Sequence, residues 1–376
     1  MNFDWNPTQN QLYKATLRFS QQLSEKCVIG QFDRNIWRDC GQNGILGLPV
    51  STTYGGMGLD ALTSARVMEA LGHGCIDRGL VFAIGAHLFA CVMPIYEHGS
   101  DLLKQKLLPK LCSGEWIAGN AVSETESGSE IAAMAARAVK KSDYYILNGA
   151  KCYVTNGPVA DVFLVYASTN PAHGYMGISA FVVEKDLPGL SVGKPFSKMG
   201  LETAQTGFLY LVDCAIPASH RIGKEGDGLN VFNQSMHWER TGLFAGFLGA
   251  MECQIGQMIE YANQRKQFRK PIARNQAVSH KIVDAKMELE AARLLLYRAC
   301  WQIDQQNDAT LDVSLAKLAI SESAIRTALT AVQVHGAFGT LLESGIPQGL
   351  TDVLPSSIFS GTSDIQRNII AGKLGL

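Results

Sequence analysis

Five short stretches of the chain carry side chains suited to binding or proton transfer. In AVSETESGSEIAAM, Ala121 to Met134, the hydroxyls of Ser123, Thr125, Ser127 and Ser129 surround Gly128. Small residues let a backbone approach a planar or phosphorylated ligand, and hydroxyls and N–H groups then donate to it. The same composition also suits an ordinary Ser/Gly loop. In KCYVTNGPVADVF, Lys151 to Phe163, period two puts Tyr153 and Thr155 on one face of a strand. A ring beside a hydroxyl could hold a flat heterocycle; a strand end entering an Asn-Gly turn would read the same. QRKQF, Gln264 to Phe268, closes a long helical pattern, and AVQVHGAFGT, Ala331 to Thr340, is a Gly-rich helix exit that could meet a phosphate or another subunit. Both also fit plain helix ends. PSSIFSGTSDIQR, Pro355 to Arg367, gathers small hydroxyls, one acid and one base ahead of an amphipathic tail.

The elements that must position these residues fall into three zones. Residues 1–116 read as helices, with apolar residues at helical spacing in TQNQLYKATLRFSQQLSEKC and ALTSARVMEALGHG. Residues 117–226 are β-rich. AVKKSDYYILNGAKCYVTNG alternates and turns over Asn-Gly, and DVFLVYAST, GISAFVVEK, GLSVGKPF and GFLYLVDCAIP are further strands. Residues 227–376 return to long helices, starting with MHWERTGLFAGFLGAMECQIGQMIEYANQRKQF. Their apolar stripes are too wide for isolated surface helices, so they should pack as an antiparallel bundle that extends across a subunit interface. The fold class is therefore α+β.

Bulk composition excludes several function classes. Apolar residues make up 47% of 376, enough for a large core, and the formal net charge is −1, with no basic block to track nucleic acid. The nine cysteines are scattered, without CxxC or a His/Cys cluster. That argues against a disulfide framework and against a metal site, and suits a reduced cytoplasm. Apolar runs break before about 18 residues, so no membrane span is expected, and the polar start shows no secretory signal.

Taken together and in order, the motifs resemble the acyl-CoA dehydrogenase family. PVSTTYGGMGLD looks like its early Tyr-Gly-Gly loop and AVSETESGSE like its first signature, with Glu130 where Asp is usual. KCYVTNG resembles its flavin-facing strand, with Tyr153 where Trp is common. KMGLETAQTGFLYLVDCAIP resembles the segment closing the β-domain, although Glu202 and Ala204 replace Arg and Ser. QVHGAFG, with Ala337 for a Gly, and FSGTSDIQR resemble its C-terminal signatures. The likeness spans the whole chain. It implies a helical N-terminal domain, a β-barrel middle domain, a C-terminal four-helix bundle, FAD and a homotetramer. It also implies roles. Ser123 would bond the pyrimidine end of the isoalloxazine, and Ser129 would lie near the pyrophosphate or the substrate tail. Tyr153 would flank the ring and Thr155 would reach N5. Arg265 and Phe268 would serve the FAD of a neighbouring subunit, with Gln333, Gly336 and Ala337 on its pyrophosphate or ribose. Thr362 and Asp364 would contact the adenosine half. Arg269 stands where a Gly usually follows the Phe.

The family's chemistry needs a base for the proton α to a thioester carbonyl and an acceptor for the β hydride. In much of the family the base is a Glu directly before Gly-Thr, where this chain has Ser360, which cannot take that proton at its ordinary pKa. Isovaleryl-CoA dehydrogenases place the carboxylate in a Leu-Glu-Arg run instead, and MHWERTGLFAG offers Glu239 there. Its apolar neighbours Met236, Trp238, Leu243 and Phe244 should raise its pKa. Ser360 would then act only through its backbone N–H, helping to stabilise the developing enolate with no particular side chain. Otherwise Glu239 is a surface acid beside a surface Arg.

The combination of MHWERTG with Ser360, LLLYRACWQIDQ and IGAHLFACVMPIYEHG is more specific, and resembles the prolyl-carrier-protein dehydrogenases and oxidases. That implies a proline thioester on a carrier protein as substrate, a pyrroline-carboxyl or pyrrole-carboxyl thioester as product, and O2 or an electron-transfer partner as oxidant. Lys140, Lys141, Arg269 and Lys270 are candidates for docking an acidic carrier. An ordinary short- or branched-chain acyl-CoA dehydrogenase is the nearest alternative. A non-catalytic oligomeric scaffold of the same fold is the other.

Overall fold

The computed structural model describes residues 5–376. Six helices come first: α1 (Pro7–Lys26), α2 (Arg34–Gln42), α3 (Ala61–Gly74), α4 (Arg78–His87), α5 (Met93–His98) and α6 (Asp101–Cys112). Local chemistry sets their starts. Asn6 and Gln9 form a reciprocal capping box at α1, and the Asp60 and Ser100 side chains accept N–H bonds at the starts of α3 and α6. α4 runs into α5 through one π-helical turn, Leu88–Val92. The resulting helix, Arg78–His98, is long and apolar enough to cross a membrane, yet most of it is buried inside the protein.

Eight strands follow: β1 (Ala118–Ala121), β2 (Arg137–Lys140), β3 (Tyr144–Thr155), β4 (Val162–Ser168), β5 (Ile178–Glu184), β6 (Leu190–Val192), β7 (Thr206–Pro217) and β8 (Arg221–Ile222). Their order is β6-β7-β3-β2-β4-β5-β8, with β1 parallel to β4. Alternation along β4 feeds two cores: Phe163, Val165 and Ala167 join a core internal to the strands, while Val162, Leu164 and Tyr166 join the helical core. The strands thus wrap an interior of their own and dock their outer side on helices.

Of the two Asn-Gly pairs in the strand region, only one turns as expected. Asn156 is left-handed, with φ 63°, and leads into the turn Gly157–Val159. Asn148-Gly149 instead lies within β3. There the Asn148 side chain exchanges hydrogen bonds with Asp213, and the ladder with β7 slips between Leu147 and Gly149. Cross-strand bonding to Asp213 replaces the hairpin by a bulge.

The C-terminal region holds α7 (Gly228–Trp238), α8 (Phe244–Gln264), α9 (Gln276–Asp304), α10 (Thr310–His335), α11 (Ile346–Val353) and α12 (Ser363–Leu374). A two-stranded hairpin, β9 (Lys266–Gln267) and β10 (Lys270–Pro271), separates α8 from α9. α7 joins α8 through a second π-helical turn, Glu239–Leu243. Glycine brings α8 hard against α3: a Cβ at Gly72 would lie 2.0 Å from the Gly246 carbonyl oxygen, and one at Gly249 would lie 2.0 Å from that of Glu69. Arg293 of α9, only 12% exposed, bonds Glu69 of α3 and Glu252 of α8 and ties the three helices together.

Candidate active site

The two π turns face each other. Phe89, fully buried in the first, covers Gly242 in the second so closely that a Cβ there would meet the ring at 2.2 Å. π turns redirect side chains out of helical register and often mark functional sites. This one presents Glu239 and Arg240, each 8% exposed, to the loop that precedes α12. The Ser360 Oγ donates to Glu239 Oε1 at 2.5 Å, and Arg240 Nε donates to the Ser360 carbonyl at 2.9 Å. Gln366 of α12 reaches back to the Gly361 carbonyl at 3.0 Å. Glu239 is therefore no surface acid beside a surface base. The expectation that no particular side chain matters at this loop position is not met: Ser360, left-handed at φ 55°, gives its hydroxyl to the carboxylate.

Electrostatics favour a proton acceptor at Glu239. Burial pushes its carboxyl above the ordinary range, while the Ser360 hydroxyl and the charges of Arg240 and Lys317 pull the other way. Oε2 is buried and has no hydrogen-bond partner among the described residues. A carboxylate with one oxygen held and the other free suits proton abstraction from a bound ligand.

The loop holding Ser123 and Ser129 joins the end of β3, where Tyr153 and Thr155 stand, through the Ser123 carbonyl. Val154 points into the strand core, which leaves 70%-exposed Tyr153 and half-buried Thr155 on its outer side. Tyr153 itself is left-handed, with φ 55°, in a second slip of the β3–β7 ladder. Ser123 accepts the Cys152 N–H through its carbonyl, Ser129 is exposed, and a Cβ built on Gly128 meets nothing within 4 Å. Ser127 is spent on the Glu130 carbonyl. Sequence reading missed what anchors this loop. Lys151, fully buried, bonds Glu124 Oε1 at 2.7 Å and the Val122 carbonyl at 3.0 Å, while Glu124 also accepts from Ala135 and Ala136 N–H groups. A Lys-Glu pair 27 residues apart has no local spacing to betray it.

This end of β3 adjoins the carboxylate. Asn156, next to Thr155, donates to the Ala83 carbonyl of α4 at 3.0 Å. Phe82, next to Ala83, packs its ring against that of Phe359 at 4.6 Å in a tilted arrangement, and Phe359 precedes Ser360. Thr362 caps α12 by accepting from Ile365 N–H, and Asp364 is exposed in its first turn.

The remaining candidates are far away. At roughly 1.5 Å per residue, α8 alone separates Arg265 from Glu239 by about 32 Å. Phe268 and Arg269 form the tip of the β9–β10 hairpin, both left-handed, and the Phe268 ring is 89% exposed. Arg269 thus takes the conformation that a Gly would adopt freely. The end of α8 that leads into the hairpin adjoins the end of α10: Tyr261 OH donates to the His335 carbonyl, and Tyr261 stacks on Phe338. Gln333, Gly336 and Ala337 are exposed there, with Lys281 donating to Gln333 Oε1. Of the basic docking candidates, Lys140 is paired with Glu225 at 3.3 Å.

Family models for the N-terminal, middle and C-terminal domains of acyl-CoA dehydrogenase match residues 10–115, 119–214 and 226–375. The chain belongs to the acyl-CoA dehydrogenase family. Among relatives, it is 48% identical to an L-prolyl-[peptidyl-carrier protein] dehydrogenase of Pseudomonas fluorescens, over 100% of both chains. Among solved structures, the prolyl acyl carrier protein oxidase AnaB is 42% identical, with TM-score 0.97, covering 99% of this chain and 100% of that one. PigA with FAD and proline is 43% identical, with TM-score 0.96, covering all of both. Ser360, where the sequence departs from the common acyl-CoA dehydrogenase pattern, meets the Glu239 carboxylate from the π turn between α7 and α8.

Proposed function

We propose that the chain is an FAD-dependent dehydrogenase or oxidase of L-prolyl thioester carried on a peptidyl or acyl carrier protein. The observation that carries the reading is the Glu239–Ser360 pair: a buried, proton-seeking carboxylate with one oxygen free, held by the residue that replaces the family's usual Glu. The relatives' names support the substrate class, since proteins acting on prolyl carrier proteins align along their full length. That favours the carrier-bound substrate over free acyl-CoA. The intact Glu239 constellation counts against a non-catalytic scaffold.

The residues fit FAD. Tyr153 and Thr155 give an exposed ring beside a hydroxyl, and Gly128 leaves the Ser loop open to a ligand. In our reading Ser123 and Ser129 hold the pyrimidine and pyrophosphate sides, and Thr362 and Asp364 the adenosine half. Bound FAD would supply the acceptor for the β hydride. Glu239 takes the prolyl α-proton, and the Ser360 N–H donates to the thioester oxygen as negative charge develops there. Loss of these two hydrogens gives an enamine thioester that isomerises to the pyrroline-carboxyl thioester; a second round would give pyrrole.

Arg265, Phe268, Gln333, Gly336 and Ala337 cannot reach the same ligand as Glu239 across the length of α8. In a homotetramer they would complete the FAD site of a neighbour. The protruding Phe268 ring supports that role. We place domain limits near residues 116 and 226. We locate the enzyme in the cytoplasm, with all nine cysteines free. O2 or an electron-transfer partner would reoxidise the flavin.

Intact-protein mass spectrometry of prolyl-loaded carrier protein after incubation tests the reading. Loss of two or four hydrogens from the prolyl arm supports it. An unchanged prolyl arm, with turnover of butyryl- or isovaleryl-CoA instead, contradicts it.

A further inference from the structure

Lys317 of α10 is a cation where the fold needs none. It is fully buried, and its Nζ finds no hydrogen-bond partner among the described residues. An apolar side chain would fill the position without the cost of burying an amine. Its one defined contact is the face of Phe244, 5.3 Å from Nζ to the ring centroid. Phe244 directly follows the π turn that carries Glu239, and its ring lies 5.5 Å from that of Phe359. One turn further along α10, Ser321 Oγ donates to the Ser356 carbonyl, which ties this helix to the segment leading into Ser360. Lys317 thus sits behind both halves of the Glu239–Ser360 pair. The core there contains an unpartnered amine and, at Glu239 Oε2, an unpartnered carboxylate oxygen.

We propose that Lys317 is a positioning residue that acts through Glu239: its buried ammonium keeps the carboxylate ionised between turnovers. The inference rests on Glu239 being the base. Burial and the nearby Arg240 guanidinium lower the Lys317 pKa to about 7, while the charges of Glu239 and Glu322 oppose this. Glu239 is faced in turn by Ser360 from the loop, Arg240 beside it, Lys317 from α10, Cys91 from the other π turn and Tyr166 from β4. Burial holds the Cys91 thiol and the Tyr166 phenol neutral. Arg240 and Lys317 are therefore the cations that oppose desolvation of the carboxylate. When Glu239 gains a proton, Lys317 loses its counter-charge, so the two titrations are coupled.

Two measurements test this. The first is the pH profile of anaerobic flavin reduction by prolyl-carrier protein. Removing a nearby cation raises the pKa of a carboxylate, so Lys317→Met moves the acid limb to higher pH, by about half a unit to one unit. An unmoved limb contradicts the proposal. The second needs neither turnover nor alteration of Lys317: thermal stability against pH for the wild type and for Glu239→Gln. A buried lysine with a lowered pKa binds its proton better when unfolded, so stability rises with pH from about 7 towards about 10.4. In Glu239→Gln the amine loses its counter-charge, and this rise begins at lower pH. Superimposable slopes overturn the coupling, and that readout decides the matter if Lys317→Met does not fold. Flavin reduction surviving in Glu239→Gln would instead refute Glu239 as the base while leaving the stability comparison readable.

Discussion

Ser360 and Glu239, 121 residues apart, meet through a hydroxyl-to-carboxylate hydrogen bond of 2.5 Å. The serine stands where much of the family keeps its base, and it bonds the carboxylate that we propose takes over that role. A small hydroxyl donor at this position thus engages a buried carboxylate supplied from the π turn.

The pair divides the labour unequally. Glu239→Gln should abolish flavin reduction, with a loss of about a hundredfold or more, because general-base catalysis is worth roughly 10²–10⁴. Ser360→Ala keeps the peptide and loses one hydrogen bond to the ionised form. The Glu239 pKa then rises, so the variant is slow at low pH and recovers as pH increases. Stopped-flow reduction rates across pH separate the two. Equal losses at every pH would refute the division.

Gly242→Ala should damage the site from behind. Its new Cβ would overlap the Phe89 ring, and overpacking of this kind costs about 1–3 kcal/mol. The π turn must shift to relieve it and takes Glu239 along. Thermal unfolding and reduction rate should fall together, and the added Phe89→Leu substitution should recover part of both. Additive losses in the double variant would argue against the interlock.

Lys151→Met removes the partner of a buried carboxylate, Glu124, and should cost about 3–5 kcal/mol. Lys151 and the Ala135 and Ala136 N–H groups hold the Glu124 pKa below its ordinary value against the penalty of burial. A depressed folded pKa contributes stability above the unfolded value, and that contribution is lost as pH falls through the folded one. The wild type should therefore lose stability below about pH 4.3, where an unperturbed Glu titrates, and Lys151→Met should show a weaker acid dependence. Chemical denaturation at several pH values checks both signs.

Phe268→Ala should leave the folded chain intact, since the ring is 89% exposed, yet lower the FAD retained after gel filtration. Arg269→Gly should stabilise the hairpin by about 1 kcal/mol, because glycine accepts a left-handed φ freely. Full FAD occupancy in Phe268→Ala would remove the hairpin from the cofactor site.

Much of this was legible in the sequence, and the reasons are physical. The long helices show as apolar periodicity, and α3 spans the same ALTSARVMEALGHG that its pattern marks. Glu239 was marked by the resemblance of MHWERTG to a Leu-Glu-Arg run, and its apolar neighbours pointed to a raised pKa. What escaped were relations without local spacing: the Ser360 side-chain bond, the Lys151–Glu124 pair, and Lys317, which reads in SLAKLAIS as an ordinary helix lysine. The Asn148-Gly149 turn failed because Asp213, on another strand, competed for the Asn side chain. The π turn is invisible to a 3.6-residue pattern, since it changes the period over a single turn.

The central claim is that this flavoenzyme oxidises carrier-bound L-proline using Glu239. Its most direct test is the visible spectrum of the purified protein during anaerobic mixing with L-prolyl-loaded carrier protein, for the wild type and Glu239→Gln. The account predicts loss of the oxidised-flavin band in the wild type and a persistent band in the variant. A band that persists in the wild type, or bleaches equally in both, would contradict it.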